Sequence, residues 1–306
     1  MKKGKRVPLT EEENKNSLDI DKKSTEDMLR IINNEDKIVA NAVEGEIPKV
    51  ARVVNLMVDA IREGGRLLYI GSGTSGRLGV LDAVELPVTF GVDSSIVKAI
   101  LAGGKDAMFV AKEGAEDSKL EGRNAVINEK VNRNDVVVGI TASGNTPYVS
   151  GALEQAQMAG SKTVAITCNP SAKLSNLVDV HISPRVGPEV IAGSTRMKSA
   201  SAQKMILNMI STASMIRLGK VYGNLMVDVK PHNQKLIDRA KRIIAIIGNT
   251  DLEEADSYFK KAKGDTKIAI IMLKTHKNYR EAKSLLEQAN GMVRDAIKLS
   301  NSSVES

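Results

Sequence analysis

The feature that most constrains the fold is the stretch from Arg66 to Pro87, RLLYIGSGTSGRLGVLDAVELP. Its apolar run 67–70 predicts a short buried strand, a loop of glycines and hydroxyl residues follows, and 75–83 has the pattern of a helix. Small loop residues let backbone N–H groups approach an anion, and the helix N-terminus adds positive dipole. The loop therefore predicts a phosphate site, with Glu85 near the helix end as an acid acting on the attached molecule.

Two other interpretations of this loop stay open. Gly71, Gly73 and Gly76 have the spacing of a dinucleotide fingerprint. Hydroxyl residues fill its variable positions, however, and the following strand offers Lys98 where a ribose-binding acid would be expected. The loop is also compatible with a tight strand–helix turn that binds nothing.

Strands alternate with helices over the middle of the chain. The predicted strands are 67–70, 95–101, 135–140, 162–167 and 178–182, and the helices between them are 75–83, 105–113, 118–130 and 147–159. This alternation predicts an α/β fold, in which a parallel sheet is flanked by helices in a three-layer αβα arrangement. Further helices are predicted at 24–33, 36–44, 47–64, 195–217 and 233–247, and then at 252–262, 266–274, 278–288 and 291–298.

Three regions are predicted along the chain. The polar residues 1–18 are expected to form a flexible N-terminal arm, and 19–248 the main α/β domain. Gly248-Asn249-Thr250 is a break, after which 249–306 is expected to form a small helical bundle.

Composition and charge limit the classes of ligand and the cellular locations that we expect for this protein. The net charge of +7 fits an anionic small molecule as readily as nucleic acid, and only 3% of residues are aromatic, so base-stacking platforms are scarce. We expect no nucleic-acid partner. The lone Cys168 excludes internal disulfides, and the three histidines lie far apart, so no metal is indicated. There is no membrane-length apolar run and no secretory h-region, and we expect a cytoplasmic protein without membrane contact.

A second hydroxyl-rich loop, TASGNTP at 141–147, follows the predicted strand 135–140, and Pro147 suits the first turn of the next helix. Two such loops at the carboxyl ends of strands in one sheet can converge on one ligand. Together they favour a phosphosugar, although an ordinary turn capping a helix is the alternative for this loop alone.

Candidate carboxylates lie outside the two loops. Glu85 is flanked in sequence by apolar residues, an environment expected to keep it protonated as an acid. Glu116 follows a predicted helix, with Glu113 and Asp117 as nearby alternatives. In a third stretch, 187–198, Glu189 stands beside a predicted helix cap at Ser194 or Thr195, and Arg196 and Lys198 are anion contacts or solvated charges.

With these motifs in order, the chain resembles the N-acetylmuramic acid 6-phosphate etherases, a family built on the sugar isomerase (SIS) fold. The segments that carry the resemblance include GSGTSGRLGVLDAVELPVTFGV (71–92), EGAEDS (113–118), TASGNTPYV (141–149) and GPEVIAGSTRMKSASAQKMILNMIST (187–212). Asn145 departs from the arginine expected in many relatives, which would weaken the hold on phosphate.

The resemblance implies a lyase that uses water to cleave the D-lactyl ether of N-acetylmuramic acid 6-phosphate, giving N-acetylglucosamine 6-phosphate and D-lactate by elimination and then hydration. Glu85 matches the general acid and Glu116 the general base. The implied or candidate substrate contacts are Ser72, Thr74, Ser75, Ser143, Asn145, Thr146, Glu189 and Ser194. The resemblance implies that no cofactor is needed. It also implies that the protein is a homodimer. The alternatives are a non-catalytic phosphosugar-binding regulator and a phosphosugar isomerase of the same fold.

Overall fold

The computed structural model describes residues 9–228 and 233–302, which fall into two compact units. Unit 1 contains the described residues up to Val84 and the stretch Ser94–Ser211, and unit 2 contains Glu85–Asp93 and the described residues from Thr212 onward. Residues 1–8 of the predicted arm, 303–306 of the predicted bundle and His232 lie outside the described residues.

A five-stranded parallel sheet forms the centre of unit 1. Its strands have the order β2-β1-β3-β4-β5 and are β1 (Leu67–Gly71), β2 (Val97–Leu101), β3 (Val136–Ile140), β4 (Lys162–Ile166) and β5 (Val180–Ile182). All five predicted strands are confirmed, with small differences at their ends. The predicted parallel sheet flanked by helices is confirmed as well.

Six helices accompany this sheet: α1 (Thr25–Glu44), α2 (Ile47–Arg62), α3 (Gly73–Phe90), α4 (Lys119–Asn128), α5 (Pro147–Met158) and α6 (Lys198–Arg217). The alternation of side chains along a strand distributes them over both faces. Leu68 and Ile70 pack with Leu153 of α5 on one face, whereas Tyr69 points to the opposite face and donates its hydroxyl to Asp82 of α3. Every residue of β1 and β3 is buried, as expected for central strands of a parallel sheet.

Four of the predicted helices were wrong in extent. The helix predicted at 105–113 is only a short 3₁₀ turn, Lys105–Met108, because two glycines with positive φ precede it and Phe109 is 89% exposed, so no apolar face is buried. The helices predicted at 24–33 and 36–44 are one helix, α1, whose Glu35 lies on the buried face. Helix α3 continues past residue 83 to Phe90, since Leu86 and Phe90 extend its buried face.

The N-terminal segment also differs from its prediction as a flexible arm. Its described residues pack against the rest of unit 1: Asn14 and Ser17 are buried, and Ser17 Oγ donates to the Val190 carbonyl at 2.7 Å. Short polar side chains that find buried partners hold this segment in place, a property that polarity alone does not reveal.

Unit 2 is mainly helical. It contains a two-stranded antiparallel pair, β6 (Val221–Tyr222) and β7 (Leu225–Met226), and the helices α7 (Gln234–Gly248), α8 (Leu252–Lys261), α9 (Thr266–Thr275), α10 (Tyr279–Gln288) and α11 (Val293–Ser302). The bundle was predicted to begin at 249, whereas this unit also contains Glu85–Asp93 and the described residues of 212–248, and takes Ile243 and Ile244 of α7 into its core. Among the described residues, no helix combines the length and apolar character needed to cross a membrane.

Candidate active site

The first hydroxyl loop connects β1 to α3 in unit 1. Helix α3 begins at Gly73, so Thr74 and Ser75 lie in its first turn, where backbone N–H groups face outward from the helix end. Gly76 allows a close approach, because a Cβ at this position would lie 2.6 Å from the Gly71 carbonyl oxygen. The sequence prediction of a strand, a glycine-hydroxyl loop and a helix N-terminus is therefore realised.

The second hydroxyl loop connects β3 to α5 and is shaped by its own polar groups. The hydroxyls of Thr141 and Thr146 lie 2.7 Å apart, and Ser143 Oγ accepts from the Asn145 backbone N–H at 3.2 Å. Asn169 Nδ2 donates to the Ser143 carbonyl at 3.0 Å. Of the three predicted ligands in this loop, Asn145 is exposed, while Ser143 and Thr146 are half-buried.

The sheet order brings the two loops together. β1 and β3 are neighbours, and their last residues pair in register, Gly71 with Ile140. The chain leaves β1 for β2 on one side and returns to β3 on the other, so the strand order reverses between β1 and β3. Ligands of open parallel sheets bind at the carboxyl ends of the strands at such a reversal.

Glu116 lies beside the first loop. Ser72 Oγ donates to Glu116 Oε2 at 3.0 Å, and the Tyr148 backbone N–H donates to the Glu116 carbonyl at 3.0 Å. Glu113, the sequence alternative, lines the same cavity, whereas the hydrogen bond from the loop goes to Glu116. The structure thus links Glu116, a predicted catalytic residue, to Ser72, a predicted ligand in the first loop, by a hydrogen bond.

Ser72 and Glu116 line a cavity of about 190 Å³ at the carboxyl end of the sheet. Arg77 lies in its wall, with Nε donating to the carbonyls of Ala107 and Met108 at 3.1 Å each.

Glu85 belongs to unit 2, and its surroundings differ from the prediction. Val84 and Glu85 are both exposed and Leu86 is buried, so the apolar sequence neighbours do not enclose the carboxylate. The prediction of an apolar environment is wrong for the single chain, because consecutive residues of a helix point about 100° apart. Instead, Leu81, Val84 and Val88 form an exposed apolar stripe along α3, hereafter the α3 stripe.

Glu189 caps helix α6. It is 1% exposed, and its carboxylate accepts from the backbone N–H groups of Lys198 and Ser199 at 2.9 and 2.8 Å. The helix starts at Lys198, so the predicted cap at Ser194 or Thr195 is wrong. Both Glu189 oxygens are engaged in capping, which favours a structural role over the predicted substrate contact; Ser194 is half-buried in the preceding turn.

A buried network of charged and polar side chains between α1 and the start of α6 was not predicted from the sequence. Lys198, also 1% exposed, pairs through Nζ with Glu35 of α1, which accepts from the side chains of Asn14 and Asn16 at 2.7 Å each. Burial acts to raise the pKa of Glu35, but the hydrogen bonds from Asn16, Lys198 and Asn14 and the charge of Lys198 hold it below its usual value. One signal was present: Glu35, Val39 and Val43 share a helical face at four-residue spacing.

Asp82 anchors α3 from inside unit 1. It is buried, and it accepts from the hydroxyls of Tyr69 and Ser211 at 3.0 and 3.2 Å, with Lys204 Nζ at 3.4 Å. Burial, then the charge and hydrogen bond of Asp82, raise the pKa of Tyr69 well above its usual value. This network ties the helix that follows the first loop to β1 and α6.

The candidate metal ligands are dispersed. His181 bonds through Nε2 to Thr167 Oγ1 at 2.9 Å, and its pKa is lowered by burial and by the charge of Lys49. Burial raises the pKa of the Cys168 thiol to about 12, which keeps it a protonated core residue. Within the described ranges, no group of three or more His, Cys, Asp or Glu side chains is arranged to hold a metal ion.

Comparisons with known proteins find similar domains and a similar fold. Residues 49–157 match the family described as "Glucokinase regulatory protein N-terminal SIS domain", and residues 122–213 match the SIS domain. A solved structure of a putative phosphosugar isomerase involved in capsule formation from Bacteroides fragilis covers 68% of this chain and 98% of its own, with 21% identity and a TM-score of 0.50. That likeness shows the fold alone.

Curated relatives match over almost the full length. N-acetylmuramic acid 6-phosphate etherase from Clostridioides difficile is 51% identical over 290 residues, which is 95% of each chain. The protein of the same name from Clostridium beijerinckii is 49% identical and covers 94% of this chain and 95% of its own.

Proposed function

This chain belongs to the N-acetylmuramic acid 6-phosphate etherases, a family of enzymes, and on that premise we propose that it cleaves the D-lactyl ether of N-acetylmuramic acid 6-phosphate with water. The products are N-acetylglucosamine 6-phosphate and D-lactate, and the role is the catabolism of cell-wall amino sugars in the cytoplasm. The observation that carries this proposal is the 3.0 Å hydrogen bond that joins the phosphate-type loop to Glu116, in a chain about half identical to named etherases.

The substrate phosphate is bound between the two loops. Thr74 and Ser75 lie in the first turn of α3, and Ser143 and Thr146 lie in the loop after β3. Backbone N–H groups of the helix end and these hydroxyls supply donors, and the positive helix dipole favours an anion there. Asn145, exposed and uncharged, adds a hydrogen bond at most.

Glu116 is the general base. In the open-chain sugar, the aldehyde acidifies the C2 proton, which the Glu116 carboxylate removes. The electron pair then forms the C2–C3 double bond as the lactate oxygen leaves C3. Water adds back at C3 and the proton returns to C2, so that one water is consumed for each lactate released. Positioned acid–base groups contribute about 10²–10⁴-fold to such steps.

Glu85 is the general acid, since an ether oxygen leaves readily only when it is protonated. Its exposure in the single chain, next to the α3 stripe, supports a homodimer in which a second copy covers this part of α3. Either copy can supply Glu85 to a given substrate.

The test is incubation of the purified protein with N-acetylmuramic acid 6-phosphate in heavy-oxygen water. We expect D-lactate without label and N-acetylglucosamine 6-phosphate with one heavy oxygen at C3. Fragment masses separate this label from exchange at the C1 aldehyde, which is measured with unlabelled product alone. Heavy oxygen in the lactate would mean attack on the lactyl side and would contradict the two-glutamate mechanism.

The match to the glucokinase regulatory protein domain favours one rival, a phosphosugar-binding regulator. Calorimetric binding of the substrate without any lactate release would support that rival. Interconversion of sugar phosphates that lack the lactyl group would support an isomerase instead.

A further inference from the structure

We infer that Ser72 is a positioning residue for the base Glu116 and not a phosphate ligand, an inference that rests on the proposed function. Among the hydroxyls of the first loop, that of Ser72 donates to Glu116 Oε2 at 3.0 Å. The two side chains also line the same 190 Å³ cavity.

Both partners are held by their backbones. Ser72 lies between the last residue of β1 and the first residue of α3, and its carbonyl accepts from the Gly76 N–H at 3.0 Å. Glu116 is fixed from the other side, because its carbonyl accepts from the Tyr148 N–H at the start of α5. The hydrogen bond therefore joins two fixed points across the loop and selects one orientation of the carboxylate.

A serine hydroxyl carries one hydrogen, so Ser72 cannot donate to Glu116 and to a phosphate oxygen together. If it turned toward a phosphate, Glu116 would lose this donor and the two anions would face each other. Thr74, Ser75 and the second loop supply phosphate donors without that conflict. The chemistry therefore divides the first loop, with Ser72 serving the base and the residues after it serving the phosphate.

The other charged groups near Glu116 are its neighbour Asp117 and the cavity-lining Arg77, Lys112 and Glu113. Arg77 donates through Nε to two carbonyls of the 3₁₀ turn, and Lys112 Nζ donates to the Gly103 carbonyl at 2.9 Å and lies 3.4 Å from Asp106. Glu113 lines the same cavity wall. All of these remain when Ser72 is replaced, so a change in the pH profile reports on the Ser72–Glu116 bond.

The test compares Ser72→Ala, Ser72→Thr and Ser143→Ala by lactate release across pH and by inhibition with N-acetylglucosamine 6-phosphate. A hydrogen bond to an ionised carboxylate favours that form. We therefore expect Ser72→Ala to lower kcat by roughly 10–100-fold and to move the acidic limb of kcat/KM to higher pH. Its inhibition constant should stay within about twofold of the wild type, since phosphate binding is intact.

Ser72→Thr keeps a hydroxyl donor and should restore both the rate and the acidic limb. Ser143→Ala, the comparator in the phosphate loop, should weaken inhibition and raise KM while the acidic limb stays in place. Thermal unfolding checks that each variant is folded.

An unmoved acidic limb in Ser72→Ala, with inhibition weakened tenfold or more, would overturn this inference and return Ser72 to the phosphate site. The inference also fails if Ser72→Thr is folded but does not restore a lost rate. These two outcomes overturn the inference about Ser72 but leave the proposed function in place. Absence of lactate release from the wild type at every pH would instead overturn the proposed function and this inference together.

Discussion

Glu116 and Glu85 are prepared for chemistry in different ways. Glu116 lies in a turn of unit 1, but its side chain is held by Ser72, its backbone by Tyr148, and it lines a formed cavity. Glu85, whose side chain is exposed like that of Glu116, is carried by a long helix beside the α3 stripe. A loop residue such as Glu116 thus becomes ordered through its own hydrogen bonds, whereas a helix residue such as Glu85 inherits a rigid backbone and depends on cover from outside.

The largest expected effect comes from removing either carboxylate. Glu85→Ala and Glu116→Ala should each reduce lactate release by about two orders of magnitude or more, the scale of lost acid–base catalysis. Hydrogen–deuterium exchange at C2 of the substrate in heavy water, followed by NMR, distinguishes the role of the base from that of the acid. Glu85→Ala should retain this exchange because the base is intact, and Glu116→Ala should lose it.

Glu113→Ala is the matched control, since Glu113 lines the same cavity as Glu116 and belongs to the same turn. It should keep lactate release within a few-fold of the wild type. Exchange that survives in Glu116→Ala would remove Glu116 from the role of base.

A smaller effect is expected from placing a charge on the α3 stripe. Val88 is 70% exposed, and Val88→Asp would place an unpaired carboxylate in the dimer interface that we propose, at a cost of a few kcal/mol. We expect dissociation of the dimer in sedimentation velocity and roughly tenfold lower lactate release, while C2 exchange persists.

Leu120→Asp is the control for this variant. Leu120 is 63% exposed in the first turn of α4, where a negative charge suits the helix dipole. It should leave assembly and activity unchanged. A Val88→Asp protein that stays dimeric and fully active would show that the α3 stripe is not the interface.

The smallest expected effect concerns Glu35, a third carboxylate and one held by several donors. Its pKa is lowered in the folded protein, so its contribution to the free energy of unfolding is complete above about pH 4.3, the unfolded value, and is lost as pH falls through the folded pKa. Urea unfolding between pH 7 and pH 3 should show a steeper loss of stability in the wild type than in Glu35→Gln.

Glu26→Gln serves as the control for the pH measurement, because the pair of Glu26 with Arg30 lies on the surface of the same helix. Its pH dependence should match that of the wild type. Equal slopes for wild type and Glu35→Gln would mean that the buried network does not set acid stability.

Much of the fold follows from local sequence patterns. The strands are short apolar runs bounded by turn residues, and the two hydroxyl loops follow strands that prove to be neighbours, so their side-by-side placement was accessible from the order of elements. The hydrogen bond between Ser72 and Glu116 could not be predicted from the sequence, because the residues are 44 positions apart and no local pattern links them.

The remaining errors share a physical cause. Glu189 and Lys198 have the sequence surroundings of surface charges, yet both are buried because each finds its partner in a distant or newly started element. The exposure of Glu85 likewise depends on which face of α3 is covered, and that is decided by tertiary packing rather than by neighbours in sequence.

The network around Glu35 has a consequence for synthesis on the ribosome. Asn14, which precedes α1, donates to the carbonyl of Pro188, and Glu35 of α1 pairs with Lys198, so these residues await partners 174 and 163 residues further along the chain. At about 5–20 residues per second, that interval lasts roughly ten to thirty seconds. During this time Glu35, on the face of α1 that is buried in the folded chain, lacks the Lys198 ammonium group that pairs with it there.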